Sequence, residues 1–388
     1  MKSIYLDYAA TAPCDPIVVE AMRPYFFEQF GNALSPHAFG RRARKAAEGA
    51  REQLASVIGA QPAEIIFTSG ATESNNQVLC GTARALKSRG RHMVISAIEH
   101  QSILEPAKRL AADGYEITYV QPDREGIIHP QAVEAALRPD TILVAVGHAN
   151  NEIGVIQPIG EISRSTKAKG IYLFVDAVQT VGHIPVNVQE LGCDFLSLSA
   201  HKFYGPQGVG ALYMRKGAAC EALLLGGDQE RGRRAATLNV AGIVGLGQAI
   251  ELCRAQMAAE AQTQTALREA LIGDVCTNIP GAVLNGLRKH RLPNNAHFSF
   301  EGVLGEDLVT ALDMAGIACS VGSACTSGQL TPSHVLKAVG LSDALALGSL
   351  RITVGRWTTK ADIEYFLDQL KIKISSLRGA IATKQSNV

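Results

Sequence analysis

From about Glu64 onward, short and continuously apolar runs alternate with helical stretches, and no other feature of the sequence restricts the fold as strongly. Apolar runs rich in β-branched residues are typical of parallel strands that are covered on both faces. The predicted strands lie in the runs EIIFTSG, HMVISAIEH, YEITYVQP, TILVAVGHA, IYLFVDAVQT, DFLSLSA and GVGALYMRK. Because helical patterns separate most of these runs, we expect an α/β fold with an open, mostly parallel sheet.

The pattern changes after roughly residue 250. The run IELCRAQMAAEAQTQTALREALIGDV is predicted to be one long helix that leads out of the sheet domain. The final third mixes strands (NNAHFSFEG, SLRITVG) with helices (EDLVTALDMAG, ADIEYFLDQLKIKISSLRG), which indicates a smaller α+β domain. We therefore expect a large domain at 13–258 and a small domain formed by 1–12 and 259–388.

Composition and charge exclude several classes of protein. A net charge of +1, with scattered Lys and Arg, gives no bulk attraction to nucleic acid or to an anionic membrane. No apolar run has the length of a signal peptide or a transmembrane helix. The eight cysteines form no C-x-x-C pair, so we predict no metal site. These features together predict a cytoplasmic protein with reduced thiols.

Polar residues follow the predicted strands, at the edge where open α/β sheets bind their ligands. Taken singly, each is equally well a helix cap, a histidine at the rim of the core or an exposed amide. Taken together, they predict a ligand site whose members are Thr72, His100, Asn150, Asn151, Asp176, Gln179, His201 and Lys202.

Lys202 stands at the mouth of a strand, just before a glycine-rich loop. Most lysines at strand ends are simply solvated. An aromatic aldehyde phosphate, however, needs a lysine amine, a phosphate cradle and a carboxylate beside its pyridine nitrogen. Lys202, Thr72 and Asp176 supply these three groups. Burial and neighbouring positive charge would lower the pKa of the lysine enough for it to react.

The stretch SAHKFYGPQGVG resembles the lysine motif of the cysteine desulfurases, a branch of the class V aminotransferases of pyridoxal-phosphate fold type I. From YLDYAATAP to about Thr359, further motifs of that family occur in its order along the chain: TSGATESNN, EHQSILEPAKRL, HANNEIGVIQPI, VDAVQTVG, GGDQERGRRAATLN, SVGSACTSGQLTPSHVL and SLRITVGRWTT. The resemblance implies a fold-type I large domain that binds pyridoxal 5′-phosphate. It also implies a small domain that carries a catalytic cysteine loop.

The resemblance assigns a role to each matching residue. Lys202 would hold the cofactor as a Schiff base, and His100 would stack on its ring as an acid or base. Asp176 would pair with the pyridine nitrogen, and Gln179 with the ring hydroxyl. The remaining assignments are phosphate binding by Ala71, Thr72, Ser199 and His201, with Thr237 from the partner subunit of a homodimer, and substrate binding by Asn151, Arg351 and Asn32.

Cys325 decides the predicted reaction. A free cysteine is usually a small buried hydrophobe, but Cys325 lies in a run of Gly, Ser, Thr and Ala that has little to pack. The resemblance implies that its thiolate takes the sulfur of L-cysteine as a persulfide and releases L-alanine, with His100 as the candidate base. A protein acceptor, such as an iron–sulfur scaffold or a thiolation protein, would then receive the sulfur.

Three alternatives remain open. The first two use other chemistry on the same scaffold: a selenocysteine lyase, or another class V aminotransferase-family enzyme. The third is a non-catalytic sulfur-assembly scaffold.

Three stretches depart from the family pattern. Ala236 stands where a glycine usually precedes the threonine, GNALSPH replaces a GNPSS-type stretch, and the C-terminal tail is short. We expect these departures to affect the cross-subunit phosphate contact, substrate access and the choice of acceptor, respectively.

Overall fold

A seven-stranded sheet forms the centre of the protein, seen in a computed structural model that describes residues 3–321 and 331–386, with side chains to residue 379. The strands of the chain are β1 (Ile4–Tyr5), β2 (Ile65–Thr68), β3 (His92–Ser96), β4 (Glu116–Val120), β5 (Thr141–Gly147), β6 (Tyr172–Asp176), β7 (Phe195–Ser199), β8 (Gly210–Met214), β9 (Ala282–Leu284), β10 (Asn295–Phe300), β11 (Ile317–Ala318) and β12 (Ser349–Thr353).

The central sheet has the order β2-β8-β7-β6-β5-β3-β4. Strands β7, β6, β5, β3 and β4 are parallel, whereas β8 is antiparallel to both β2 and β7. The prediction of an α/β fold with a mostly parallel sheet is therefore confirmed.

Helices connect and cover these strands. Their bounds are α1 (Pro16–Met22), α2 (Pro24–Phe27), α3 (Ala38–Ile58), α4 (Ala71–Ala85), α5 (Gln101–Ala112), α6 (Pro130–Ala136), α7 (Ile159–Ala168), α8 (Val188–Leu191), α9 (Val240–Asn278), α10 (Gly305–Asp313), α11 (His334–Ala338), α12 (Asp343–Leu347) and α13 (Lys360–Ser386). Short 3₁₀ turns lie at Pro62–Glu64, Ala200–Lys202 and Gln229–Gly232. Within the described ranges, no helix combines the length and the apolar character needed to cross a bilayer.

The predicted apolar strands are buried on both faces of the sheet, with one exception. Successive residues point to opposite faces, so Val144 and Leu173 belong to one core while Leu143 and Phe174 belong to the other. Strand β4 differs because it lies at the edge of the sheet, and within it only Val120 is buried. The expectation of continuous burial is wrong for this strand, since an edge position leaves one flank open to solvent.

A second group of strands lies outside the central sheet. Strands β12, β10 and β9 form an antiparallel sheet, and β1 pairs with β11. Helix α9 contributes to the cores of both parts: Leu246 and Ile250 pack beside the central sheet, whereas Leu271 and Val275 pack with the second group. The division of the chain into two domains at residue 258 stays a prediction.

A buried ion pair covers the edge strand β2. The guanidinium of Arg51 meets the carboxylate of Glu230 at 2.7 and 2.8 Å, and both side chains are almost fully buried. The same pair serves the backbone of β2, because Arg51 donates to the carbonyl oxygen of Ile65 and Glu230 accepts from the N–H of Phe67, each at 2.8 Å. The two side chains thus replace a neighbouring strand at an edge that would otherwise expose its backbone groups.

The segment that follows Glu230 has an unusual backbone. Glu230, Arg231 and Ala236 have positive φ angles of 47°, 60° and 97°. An L-residue pays about 1–2 kcal/mol for such a conformation, whereas glycine adopts it freely. The alanine that departs from the family pattern therefore occupies a position that favours glycine.

We expect Ala236→Gly to raise the free energy of unfolding by about 0.5–1 kcal/mol, because relief of strain exceeds the added entropy of the unfolded chain. A urea titration would show the midpoint moving to higher urea. In the control variant Ala235→Gly, whose parent side chain is buried and has no positive φ, the midpoint should fall. Equal falls in both variants would contradict the prediction.

Candidate active site

A cavity of about 1050 Å³ lies beyond the carboxyl ends of β3, β5, β6 and β7. The parallel strands bring the residues that follow them to one edge of the sheet, as predicted from the sequence. Eleven of the predicted site residues line the cavity: Ala71, Thr72, His100, Asn150, Asn151, Asp176, Gln179, Ser199, His201, Lys202 and Arg351.

The amine of Lys202 is held by the N-terminal segment of the chain. Its Nζ donates to the carbonyl oxygens of Ala9 and Ala10, each at 2.7 Å. Burial and the positive charge of Arg351 lower the pKa of Lys202 to about 8, although the carboxylate of Asp176 opposes them. With a pKa of about 8, roughly a tenth of this amine is neutral and nucleophilic at pH 7, far more than for an ordinary lysine.

Asp176 ends strand β6 and anchors a chain of hydrogen bonds. Its Oδ1 accepts from the N–H of Val178 at 3.0 Å, and its Oδ2 accepts from Nδ2 of Asn75 at 2.8 Å. The same Nδ2 donates to Oγ of Ser102 at 2.8 Å, and that hydroxyl lies 2.8 Å from Nδ1 of His100. The chain thus joins Asp176 to His100 through side chains on α4 and α5.

The start of helix α4 forms a recess for an anion. Gly70 precedes the helix, and its backbone approaches Gly210 so closely that a Cβ at Gly210 would lie 2.7 Å from Cα of Gly70. Ala71 and Thr72 occupy the first turn, whose unpaired backbone N–H groups and positive dipole attract anions. Ser199 and His201 line the same cavity, and burial lowers the pKa of His201 to about 4.

Arg351, on strand β12, closes another part of the cavity. Its Nη1 donates to the carbonyl oxygen of Asn151 at 3.0 Å, and its Nη2 pairs with Oδ1 of Asp7 at 2.7 Å. Among the described residues, nothing pairs with its Nε. The buried guanidinium thus keeps one donor unpaired, although an internal carboxylate already neutralises part of its charge.

Several polar side chains of the cavity are not among the predicted site residues. The carboxyl of Glu99 accepts from the N–H of Gly147 at 2.8 Å, and burial raises its pKa to about 8. The carboxyl of Glu152 accepts from the hydroxyl of Ser333 at 2.6 Å, while Nε2 of His334 lies 3.0 Å from the carbonyl oxygen of Glu99. Glu99 and Glu152 are direct sequence neighbours of predicted site residues, and this adjacency was the available signal.

Two predicted site residues lie away from the cavity, and a third is not among the described residues. Asn32 is exposed, and its Oδ1 accepts from the N–H of Leu34 at 3.0 Å. Thr237 is also exposed and away from the cavity of its own chain. Cys325 lies outside the described residues, but Ser320 and His334, on either side of the undescribed stretch, both line the cavity.

Comparisons with known proteins agree with this architecture. The family model for class V aminotransferases matches residues 4–366. The chain is 53% identical over 384 residues to the cysteine desulfurase IscS of Dictyoglomus turgidum, covering 99% of this chain and 98% of that protein. A solved NifS-like protein is 37% identical with a TM-score of 0.91, covering 96% of this chain and all of the other. SspA, solved in complex with cysteine, is 34% identical with a TM-score of 0.81, covering 92% of this chain and all of SspA.

The lowered pKa of Lys202 gives a test by competitive acetylation. The free amine reacts only when neutral. In protein freed of any bound ligand, acetylation of Lys202 by acetic anhydride, followed peptide by peptide in a mass spectrometer, should rise with a midpoint near pH 8. A free lysine derivative in the same tube should have its midpoint near its ordinary value of about 10.4. A Lys202 curve that coincides with the free derivative would contradict the burial argument.

Proposed function

Because the chain belongs to the class V aminotransferase family, and within it to the cysteine desulfurases, we propose how its cavity removes sulfur from L-cysteine. One observation carries the proposal. One cavity is lined by the amine-bearing Lys202, the carboxylate of Asp176, the N-terminus of α4 and the guanidinium-bearing Arg351.

These groups match the needs of pyridoxal 5′-phosphate, the cofactor of this family. The start of α4, with Thr72, Ser199 and His201, would hold the phosphate. Asp176 would pair with the pyridine nitrogen and Gln179 with the ring hydroxyl, while the amine of Lys202 would attach to the aldehyde carbon. When bound, the cofactor supplies an electron sink for the carbon skeleton of an amino acid.

The substrate carboxylate would bind at Arg351 and Asn151. A guanidinium suits this task because its fork of donors matches a carboxylate, and Arg351 lines the cavity together with Asn151. Binding there would hold the α-carbon of L-cysteine near Lys202, whose amine can take the α-proton when it is neutral.

Cys325 would receive the sulfur. Its thiolate attacks the sulfur of L-cysteine, the carbon–sulfur bond breaks, and the carbon skeleton takes up protons to leave as L-alanine. The balance is one L-cysteine and one thiol converted into one L-alanine and one enzyme persulfide. A protein acceptor then removes the outer sulfur. The positions of Ser320 and His334 support this role, since the stretch with Cys325 joins two residues of the cavity.

A homodimer would complete the site. Exposed apolar side chains are concentrated between residues 17 and 39, which is typical of an interface. They are Ile17, Val19, Phe26, Phe27, Phe30, Leu34 and Phe39. A second copy of the chain would cover them and bring its Thr237 to the phosphate recess.

The sulfur-transfer role of Cys325 can be tested with purified protein and L-cysteine. Cys325→Ser should lose alanine formation and the added mass of one sulfur on its peptide, while the absorbance of the bound cofactor stays unchanged. Cys276→Ser, which alters an exposed cysteine elsewhere, should behave as wild type. Alanine release at the wild-type rate from Cys325→Ser would refute the assignment.

Sedimentation tests the dimer. The wild-type protein should sediment at about twice its chain mass of 41.2 kDa. Phe26→Asp should shift it towards the monomer, since it places a charge on a side chain that is 66% exposed in the single chain. Met314→Asp is the matched control, because Met314 is 77% exposed but lies on the turn after α10. A monomeric wild-type protein would overturn the proposal.

A further inference from the structure

The imidazole of His100 is held by donors at one of its nitrogens. The backbone N–H of Ser102 lies 3.1 Å from Nδ1, and His100 in this way caps helix α5 with its side chain. A backbone N–H can only donate, so Nδ1 must carry a lone pair. In the neutral ring, the proton therefore resides on Nε2.

The side chains behind this contact enforce the same arrangement. If the amide of Asn75 were reversed, its oxygen would face a carboxylate oxygen of Asp176, so its Nδ2 must point there. That nitrogen also donates to Oγ of Ser102. Because Oγ accepts from Asn75, the hydroxyl proton of Ser102 is available for Nδ1 of His100, which then accepts from two donors.

The surroundings of the ring act on its charge in both directions. His100 stands at the positive end of α5, where a cation is disfavoured. Burial lowers the pKa of His100, and the charges of Lys202 and His334 add to this effect, whereas Asp176 opposes it. The balance keeps the imidazole neutral, as donors at one nitrogen and a helix N-terminus do elsewhere.

We propose that Asn75 and Ser102 are positioning residues that fix His100 as the neutral Nε2–H tautomer, so that it acts as a hydrogen-bond donor. Protonation of Nδ1 would bring its N–H against the backbone N–H and the hydroxyl of Ser102, so that three donors would face one another without an acceptor. Nε2 bears a proton and the lone pair of Nδ1 is occupied by Ser102, so the neutral ring has no free lone pair with which to deprotonate a thiol. The inference refines the proposed function and replaces the expectation that His100 is the base for Cys325.

The tautomer can be observed directly by nitrogen NMR of the full chain labelled with ¹⁵N-histidine. Two-bond proton–nitrogen correlations distinguish the two neutral tautomers, and His100→Gln assigns the signal. We expect the Nε2–H pattern in wild type, with and without cofactor. In Ser102→Ala the pKa of His100 should rise by about 0.5–1 unit, because a donor that favours the neutral ring is lost. Asn75→Ala should raise it in the same direction, since the hydroxyl of Ser102 is then free to turn.

The controls separate positioning from mere stability. Ser102→Thr retains a hydroxyl and should keep the wild-type pKa of His100. If Asn75 and Ser102 only stabilise the fold, their alanine variants will have a lower free energy of unfolding but an unchanged pKa of His100. That result would refute the proposal. An Nδ1–H pattern in wild type would also overturn it. Since the cofactor-free protein gives the same readout, failure of the cofactor assignment would appear separately, as a protein that takes up no pyridoxal 5′-phosphate.

Discussion

The half-buried amine of Lys202 is the constraint on which the arrangement of the site depends. Burying an ammonium group is unfavourable unless polar partners surround it, and here two backbone carbonyls from Ala9 and Ala10 provide them. Those carbonyls belong to the segment that also carries Asp7, the partner of Arg351. The N-terminal segment therefore accepts hydrogen bonds from Lys202 with its backbone and forms an ion pair with Arg351 through the side chain of Asp7.

The strands and the edge at which the site lies were predictable because they follow from burial and topology. Residues such as Val144 and Leu173 lie in the part of the sheet that is covered on both faces, which selects apolar side chains at most positions. Asp176 and Lys202 follow neighbouring strands, so a parallel sheet necessarily brings them to one edge.

Contacts that depend on distant backbone atoms left no comparable signal. Nothing in the residue types of Ala9 and Ala10 indicates that their carbonyl oxygens accept from a lysine more than 190 positions away. Asn75 stood within a recognised motif, but its place between Asp176 and Ser102 depends on the docking of α4 against α5. Asn32 was assigned to the substrate by the resemblance alone, and no feature of the sequence indicated that its side chain is exposed on the single chain. Thr237 is exposed as well, and its assignment to a partner subunit stays a prediction.

Helix α9 has a consequence for dissecting the molecule. One uninterrupted helix of 39 residues supplies packing surface at its first half to one core and at its second half to another. A fragment truncated near residue 258 would end in the middle of α9, and its last four carbonyl groups would lack their helical hydrogen-bond partners. The core of the second group of strands would lose Leu271 and Val275 if it were expressed without this helix. Neither fragment would have a capped helix end at the cut. Although each fragment has its own sheet, we therefore expect the two to fold poorly when they are expressed separately.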